Sequence, residues 1–324
     1  MKTACIALIL TAALASSSAA AASTMSVRAL RSETWDGGLY TTATGEHVTV
    51  EVSTAYASDP GAGQRWANFF TSLVHGSELG LLTAYIAPID EVADICGGNG
   101  DVLGCYWNDK LVAVGVATDG LQPTSVVTHE YGHHVAYNRN NAPWSAVDWG
   151  TKRWASSVNV CARTAAGTAY PGDEGFHYML NPGEAFAESY RVLNEQLAGL
   201  PLLWPIVDPS FLPTPGSLPA LREDVVDPWT GPTTQTVRAR FAPHRRVWTS
   251  KLATPLDGDL TIRLRQGNDD LQLLGDSRKV LAAGSWTTNG GKSVQFRICG
   301  QRSLAIRVRA TGKAAPFTLK VTKP

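Results

Sequence analysis

The stretch Thr128-His129-Glu130-Tyr131-Gly132-His133-His134 constrains this chain more than any other. On an α-helix, residues four apart differ by about 40° in direction and about 6 Å in rise. His129 and His133 therefore reach one ion from the same face. Zn²⁺ suits such a pair, because it takes neutral imidazole nitrogens at about 2.0–2.1 Å in a roughly tetrahedral shell. Glu130 stands beside the position left over, where it can accept a proton from water. The flanks agree with a helix: Pro123 suits a first turn, and Val126, Val127, Val135 and Ala136 supply apolar surface. His134 points about 100° away from His133 and is expected at the surface or behind the ligands.

With 324 residues the chain is long enough for two domains. Lys plus Arg and Asp plus Glu are both 28, so net charge points to neither nucleic acid nor an anionic membrane as partner. Lys2 followed by the apolar run Ala4 to Ala15, three serines and the alanines Ala19 to Ala22 reads as a signal peptide, residues 1–22, cleaved before Ser23. That run is too short to anchor in a bilayer, which predicts a secreted, extracellular protein with no membrane anchor. Removing Cys5 leaves Cys96, Cys105, Cys161 and Cys299, an even number suited to an oxidising compartment. Four cysteines allow three pairings. Cys96 and Cys105 bracket a glycine-rich loop and are the preferred pair, with Cys161–Cys299 following by elimination. No C-x-x-C spacing exists, which excludes a zinc ribbon.

After a leader from Ser23 to Trp35, residues 39–57 alternate as a strand, 63–75 carry Trp66, Phe69, Phe70 and Val74 at helical spacing, and Leu81 to Ala87 forms a second strand. Lys110 to Thr118 is read as a strand bordering the cleft, where an extended substrate adds by main-chain hydrogen bonds. Residues 140–180 read as loops. Asn181-Pro182 opens another helix, running toward Gly199. The proline-dense stretch 201–232 drapes over this first domain, 23–232. Beyond it, short alternating segments separated by glycine turns predict an antiparallel β-sandwich over 233–324. Acidic turns at Asp257, Asp259, Asp269 and Asp270 are weighed as a Ca²⁺ site. His47, His75 and His244 have no motif around them.

A catalytic zinc needs a third protein ligand. Positions 136 and 139 are Ala136 and Arg139, which excludes a third histidine in the H-x-x-G-x-x-H manner. Gly167-Thr168 begins a G-T-x-x-D signature, but Asp173 comes two residues too late. Glu184 and Glu188 lie one turn apart on the later helix. H-E-Y-G-H followed about fifty residues later by E-A-F-A-E-S resembles the gluzincin metallopeptidases, the group containing thermolysin and anthrax lethal factor. The resemblance covers residues 128–134 and 181–191. It implies Glu184 as the third ligand and Glu188 as the carboxylate that orients a ligating histidine. Asn181-x-x-Glu184 is also a capping box, in which Glu184 serves the helix end and Glu188 ligates; both remain open. The resemblance further implies an oxyanion donor, with Tyr178 favoured and His177 the alternative. Residues 254–260 and 317–321 resemble bacterial pre-peptidase C-terminal domains. The leader is too short for the folded pro-domain typical of thermolysin-like enzymes.

These readings converge on an α+β protein: a zincin-like catalytic domain with a mostly antiparallel sheet, then a small β-sandwich. The expected function is zinc-dependent endopeptidase action on a protein or peptide substrate, with Glu130 as general base. The contrasting reading is a non-catalytic secreted binding protein, its zinc structural and its sandwich the recognition domain.

Overall fold

The computed structural model describes residues 34–98, 101–118, 120–202, 207–265, 267–288 and 290–324. The expected signal peptide, residues 1–22, lies outside the described residues. The first sheet contains β1 (Trp35–Thr41), β2 (His47–Ser53), β3 (Thr83–Ala87), β4 (Gly104–Trp107) and β5 (Lys110–Val114), in the order β1-β2-β3-β5-β4. α1 (Ala62–Ser72) connects β2 to β3, and α2 (Ile89–Cys96) follows β3. Such helical crossovers bring the next strand back in the same direction. β2, β3 and β5 are accordingly parallel, with β1 and β4 antiparallel at the two edges. The sheet is thus mixed, where alternation alone suggested a mostly antiparallel one.

Two further expectations are corrected here. The strand after Lys110 stops at Val114, and it is interior; the edge strand is β4, four residues too short to show a periodicity. The region 140–180 contains three short helices, α4 (Ala146–Trp149), α5 (Lys152–Ser157) and α6 (Val160–Ala165). None is long enough to display an apolar stripe. The two long helices are α3 (Pro123–Tyr137) and α7 (Pro182–Leu197), and α8 (Ser217–Val226) packs on α5 and α7. One apolar cluster joins the sheet to these helices through Val50, Phe70, Ile86, Val112, Tyr131, Phe186 and Tyr190.

The remainder is two facing antiparallel sheets. β7 (Val247–Ala253), β9 (Asp270–Leu274), β10 (Val280–Ala283) and β13 (Ser303–Arg309) pair as β10-β9-β13-β7. β6 (Thr233–Ala239), β8 (Gly258–Arg265), β11 (Ser285–Trp286), β12 (Lys292–Ile298) and β14 (Phe317–Lys323) pair as β11-β12-β8-β14-β6. Alternate residues of β8 (Leu260, Ile262, Leu264) and β14 (Phe317, Leu319, Val321) face a second apolar cluster, as period-2 patterning requires.

The sandwich is fastened to the helical part. Cys161 of α6 is bonded to Cys299, and Cys96 to Cys105, the preferred pairing in both cases. Asp257 N–H donates to Ser156 Oγ at 2.9 Å, while Lys152 Nζ donates to Ala142 O at 2.6 Å and Asp257 O at 2.9 Å. The four aspartates weighed for Ca²⁺ do not gather. Asp257 pairs with Arg302, Asp259 with Arg297 and Asp270 with Lys292, and Asp269 accepts from Thr311 N–H. Each acidic turn is matched to a donor of the protein itself.

Candidate metal centre

The site begins with the contact between α3 and α7. A methyl group on Gly132 would come within 2.7 Å of Ala187 Cα. Gly132 lies between the paired histidines, and Ala187 lies between Glu184 and Glu188. Two small residues at the crossing let the backbones approach until side chains of both helices reach one point. α3 is buried round most of its circumference, with Val127, Tyr131 and Val135 in the apolar cluster and Thr128, His129 and Glu130 also enclosed. α7 starts where expected: Asn181 Oδ1 accepts from Gly183 N–H at 3.0 Å, with Pro182 in the first turn. Glu184 does not complete the capping box. Its carboxylate turns inward to the imidazoles.

His129 Nε2 lies 3.2 Å from Glu184 Oε2, and His133 Nε2 lies 3.3 Å from Glu184 Oε1. Among the described residues, His129, His133 and Glu184 form a group whose ligand atoms all lie within 4.8 Å of one another. In a tetrahedral shell with bonds of about 2.0–2.1 Å, neighbouring ligand atoms stand about 3.3 Å apart. Each imidazole lies near that spacing from one oxygen of Glu184, His129 from Oε2 and His133 from Oε1. Two imidazoles and one carboxylate, buried at His129 and Glu184 and half-buried at His133, make a donor set that could hold a metal ion.

The electrostatics ask for a cation. Burial disfavours charge on His129, yet Glu184 and Glu188 outweigh it and push the imidazole up to about 10. Burial likewise opposes charge on Glu184, but His133 and His129 hold its carboxyl well below the usual range. For Glu130 burial outweighs the pull of His129 and His133, and its carboxyl is raised. It rests against edge strand β4, where a methyl group on Gly104 would come within 2.8 Å of Glu130 Oε1.

Behind His129, Glu188 Oε2 lies 3.5 Å from Nδ1. Arg191 grips both oxygens of Glu188, at 3.0 and 2.6 Å, and also pairs with Glu195, which accepts from Ser125 Oγ of α3 at 2.7 Å. The chain Glu188-Arg191-Glu195-Ser125 thus ties α7 back to α3. Of the two places expected for His134, the surface is excluded, since the side chain is fully buried. Its Nε2 is 2.8 Å from Glu78 O and its Nδ1 is 3.2 Å from Tyr106 Oη.

The structure separates the two oxyanion candidates. Tyr178 Oη donates to Glu184 Oε2 at 2.6 Å, on the rim of the metal group. Burial, then the Glu184 charge, raise this phenol far above its ordinary value, so it keeps its proton. His177 is engaged elsewhere: its Nδ1 is 2.7 Å from Asp173 Oδ2, and its ring stacks on Tyr170 at 3.6 Å between centroids. Gly104, Gly132 and Arg191 were missed by sequence reasoning. Arg191 sits one turn beyond Glu188, a spacing that signals an ion pair on a helix; the two glycines leave no signal until the helix and strand they face are known.

No protein-family model matches the chain, and no curated protein matches it. Among solved structures, 28% of this chain is similar to 89% of the pre-peptidase C-terminal domain of a collagenase from Bacillus anthracis, at 14% identity and a TM-score of 0.22. Another 28% match covers 85% of PliG, a periplasmic inhibitor of g-type lysozyme from Aeromonas hydrophila, at 10% identity and a TM-score of 0.23. Both are distant likenesses. Among the described residues no helix is long and apolar enough to cross a membrane.

Proposed function

We propose that this protein is a secreted zinc metalloendopeptidase of the gluzincin kind, with residues 23–232 as catalytic domain and 233–324 as accessory β-sandwich. The observation that carries the reading is the meeting of His129, His133 and Glu184 from two helices, with Glu130 and Tyr178 beside them. Those three residues would hold Zn²⁺. The bound ion would supply Lewis acidity, lowering the pKa of water and polarising the scissile carbonyl.

Glu130, whose carboxyl burial raises above its ordinary value, accepts the proton of the attacking water and returns it to the leaving amine. Tyr178 turns its hydroxyl from Glu184 to the oxygen on which negative charge develops. Glu188 orients His129, and Arg191 keeps Glu188 ionised against the burial that opposes its charge. Edge strand β4 lies against Glu130 and pairs on one side only among the described residues, which leaves an edge for an extended peptide.

The test is digestion of unfolded casein by zinc-loaded and chelator-treated protein. Hydrolysis that disappears on chelation and returns with zinc supports the reading. A protein that holds one zinc per chain and cleaves nothing supports the binding-protein reading instead. Glu130→Gln is expected to retain zinc and lose about 10²- to 10⁴-fold in turnover.

A further inference from the structure

The balanced charge of the whole chain hides a segregation. Residues 23–232 hold 23 of the 28 Asp and Glu but only 10 Lys and Arg, whereas residues 233–324 hold 17 Lys and Arg against five Asp. The sandwich is a basic module joined to an acidic one. Its own acids are mostly engaged: Asp257, Asp259 and Asp270 pair with Arg302, Arg297 and Lys292. That leaves two Asp for the other 14 cations of the region.

Part of the excess is ordered. In the sheet β11-β12-β8-β14-β6, alternation turns Leu260, Ile262, Leu264, Leu319 and Val321 into the core, so Arg263, Arg265 and Lys320 stand on the opposite face. Lys320 pairs in register with Arg263, while Thr318 pairs with Arg265 on one side and Arg238 on the other. With strands about 4.8 Å apart and alternate residues of a strand about 6.7 Å apart, the four cationic positions fall within about 12 Å. Arg238, Arg263 and Arg265 are exposed and Lys320 is half-buried; none of them has an ion pair among the described residues. Like charges opposite one another destabilise a sheet, and nothing in the described protein offsets these. At the other end of the face Arg297 lies over the Trp144 ring at 5.4 Å, so the helical part meets the sheet there, away from the four cations.

The rest of the face selects among polyanions. The other outward positions of β6, β8, β12 and β14 are Thr, Ser and Gln, with Asp259 and Arg297 paired to each other. No aromatic ring stands there to stack on a base, and no apolar side chain to enter a lipid surface. Five strands make a face about 19 Å wide, too broad for the major groove of duplex DNA at about 12 Å. A flat lattice of hydroxyls and guanidinium forks suits a chain of sugar rings bearing acidic groups. We propose that this face, centred on Arg238, Arg263, Arg265 and Lys320, binds an anionic polysaccharide and holds the protein on surfaces that carry one. The proposal is independent of the metal centre and of the peptidase reading.

Binding of the full chain to dextran sulfate is measured by calorimetry at low and high salt. Uncharged dextran, duplex DNA and phosphatidylglycerol vesicles are the comparison probes. The wild type should bind dextran sulfate and not dextran, with an affinity that falls as salt rises. R238Q/R263Q/R265Q/K320Q should bind at least about tenfold more weakly. R245Q/R278Q/K279Q/K313Q, which removes as many cations from turns of the same sandwich, should lose no more than about twofold. Thermal unfolding should find the first variant at least as stable as the wild type, because it relieves repulsion. Arg263→Glu alone should weaken binding by about threefold, which repeats the test with one exposed change. Absent binding, equal losses in the two quadruple variants, or tighter binding of DNA or vesicles than of dextran sulfate overturns the proposal. Salt-dependent self-association abolished by the same four substitutions also overturns it, and gives the face to a second copy of the chain.

Discussion

Inside the sandwich, the side chains meeting between the two sheets are Leu260, Ile262, Leu271, Val294, Ile306, Val308 and Leu319. Between α3 and α7 they include His129, Glu130, Glu184, Glu188, Arg191 and Glu195, all nearly inaccessible to water. Of the buried polar side chains of the sandwich region, Thr254 donates to Gln301 O and Asp257 lies at the junction with the helical part. Burying charge is expensive unless it is paired or binds a metal. The contrast teaches that one region buries an apolar centre while the other buries a His-His-Glu group that could hold a metal ion.

Glu184→Ala breaks the contrast most severely. Zinc affinity should fall well over a hundredfold, beyond the roughly 10- to 100-fold typical of residues that only orient ligands, which is the range expected for Glu188→Ala. Atomic absorption after dialysis against graded chelator measures both; the reverse order would make Glu188 the ligand. Tyr178→Phe should retain zinc and lose about 10²- to 10³-fold in kcat, with little change in KM. Steady-state kinetics on one peptide read that split.

Ile262→Ala in the sandwich should lower stability by about 2–5 kcal/mol in urea unfolding while leaving zinc affinity unchanged. A matching loss of zinc would show the two regions to be one energetic unit.

The smallest effect concerns Lys152 at the junction. Burial there lowers its ammonium to about 8, from an ordinary value near 10.4. Below pH 8 the folded protein carries a charge it disfavours. Between about 8 and 10 the unfolded chain binds the extra proton, so this residue's contribution to stability rises with pH. Lys152→Met should flatten that rise, which thermal unfolding across this window measures.

Much of the centre was legible because its parts are local. The spacing of His129 and His133, and the Asn181-Pro182 opening before Glu184, each belong to one helix and obey its period. The β-sandwich was legible for the same reason, since strict alternation in segments such as Leu260 to Leu264 declares which face is inside. What failed was non-local. β4 escaped because four residues carry no period, and its place beside β5 depends on where the α2 crossover returns the chain. His134 was left open between the surface and a place behind the ligands because helical direction was judged without Glu78 and Tyr106, which meet its ring from elsewhere in the chain.

The sequence by itself determined which residue types can ligate and which helices carry them, because side-chain chemistry and helical period need no partner. Only the tertiary structure shows that the Glu184 carboxylate turns to the imidazoles of the other helix, that Tyr178 donates to it while His177 turns to Asp173, and that the acidic turns pair with donors of the protein itself. The meeting of the two helices depends on packing between segments far apart in the chain, here on the close approach that Gly132 and Ala187 allow.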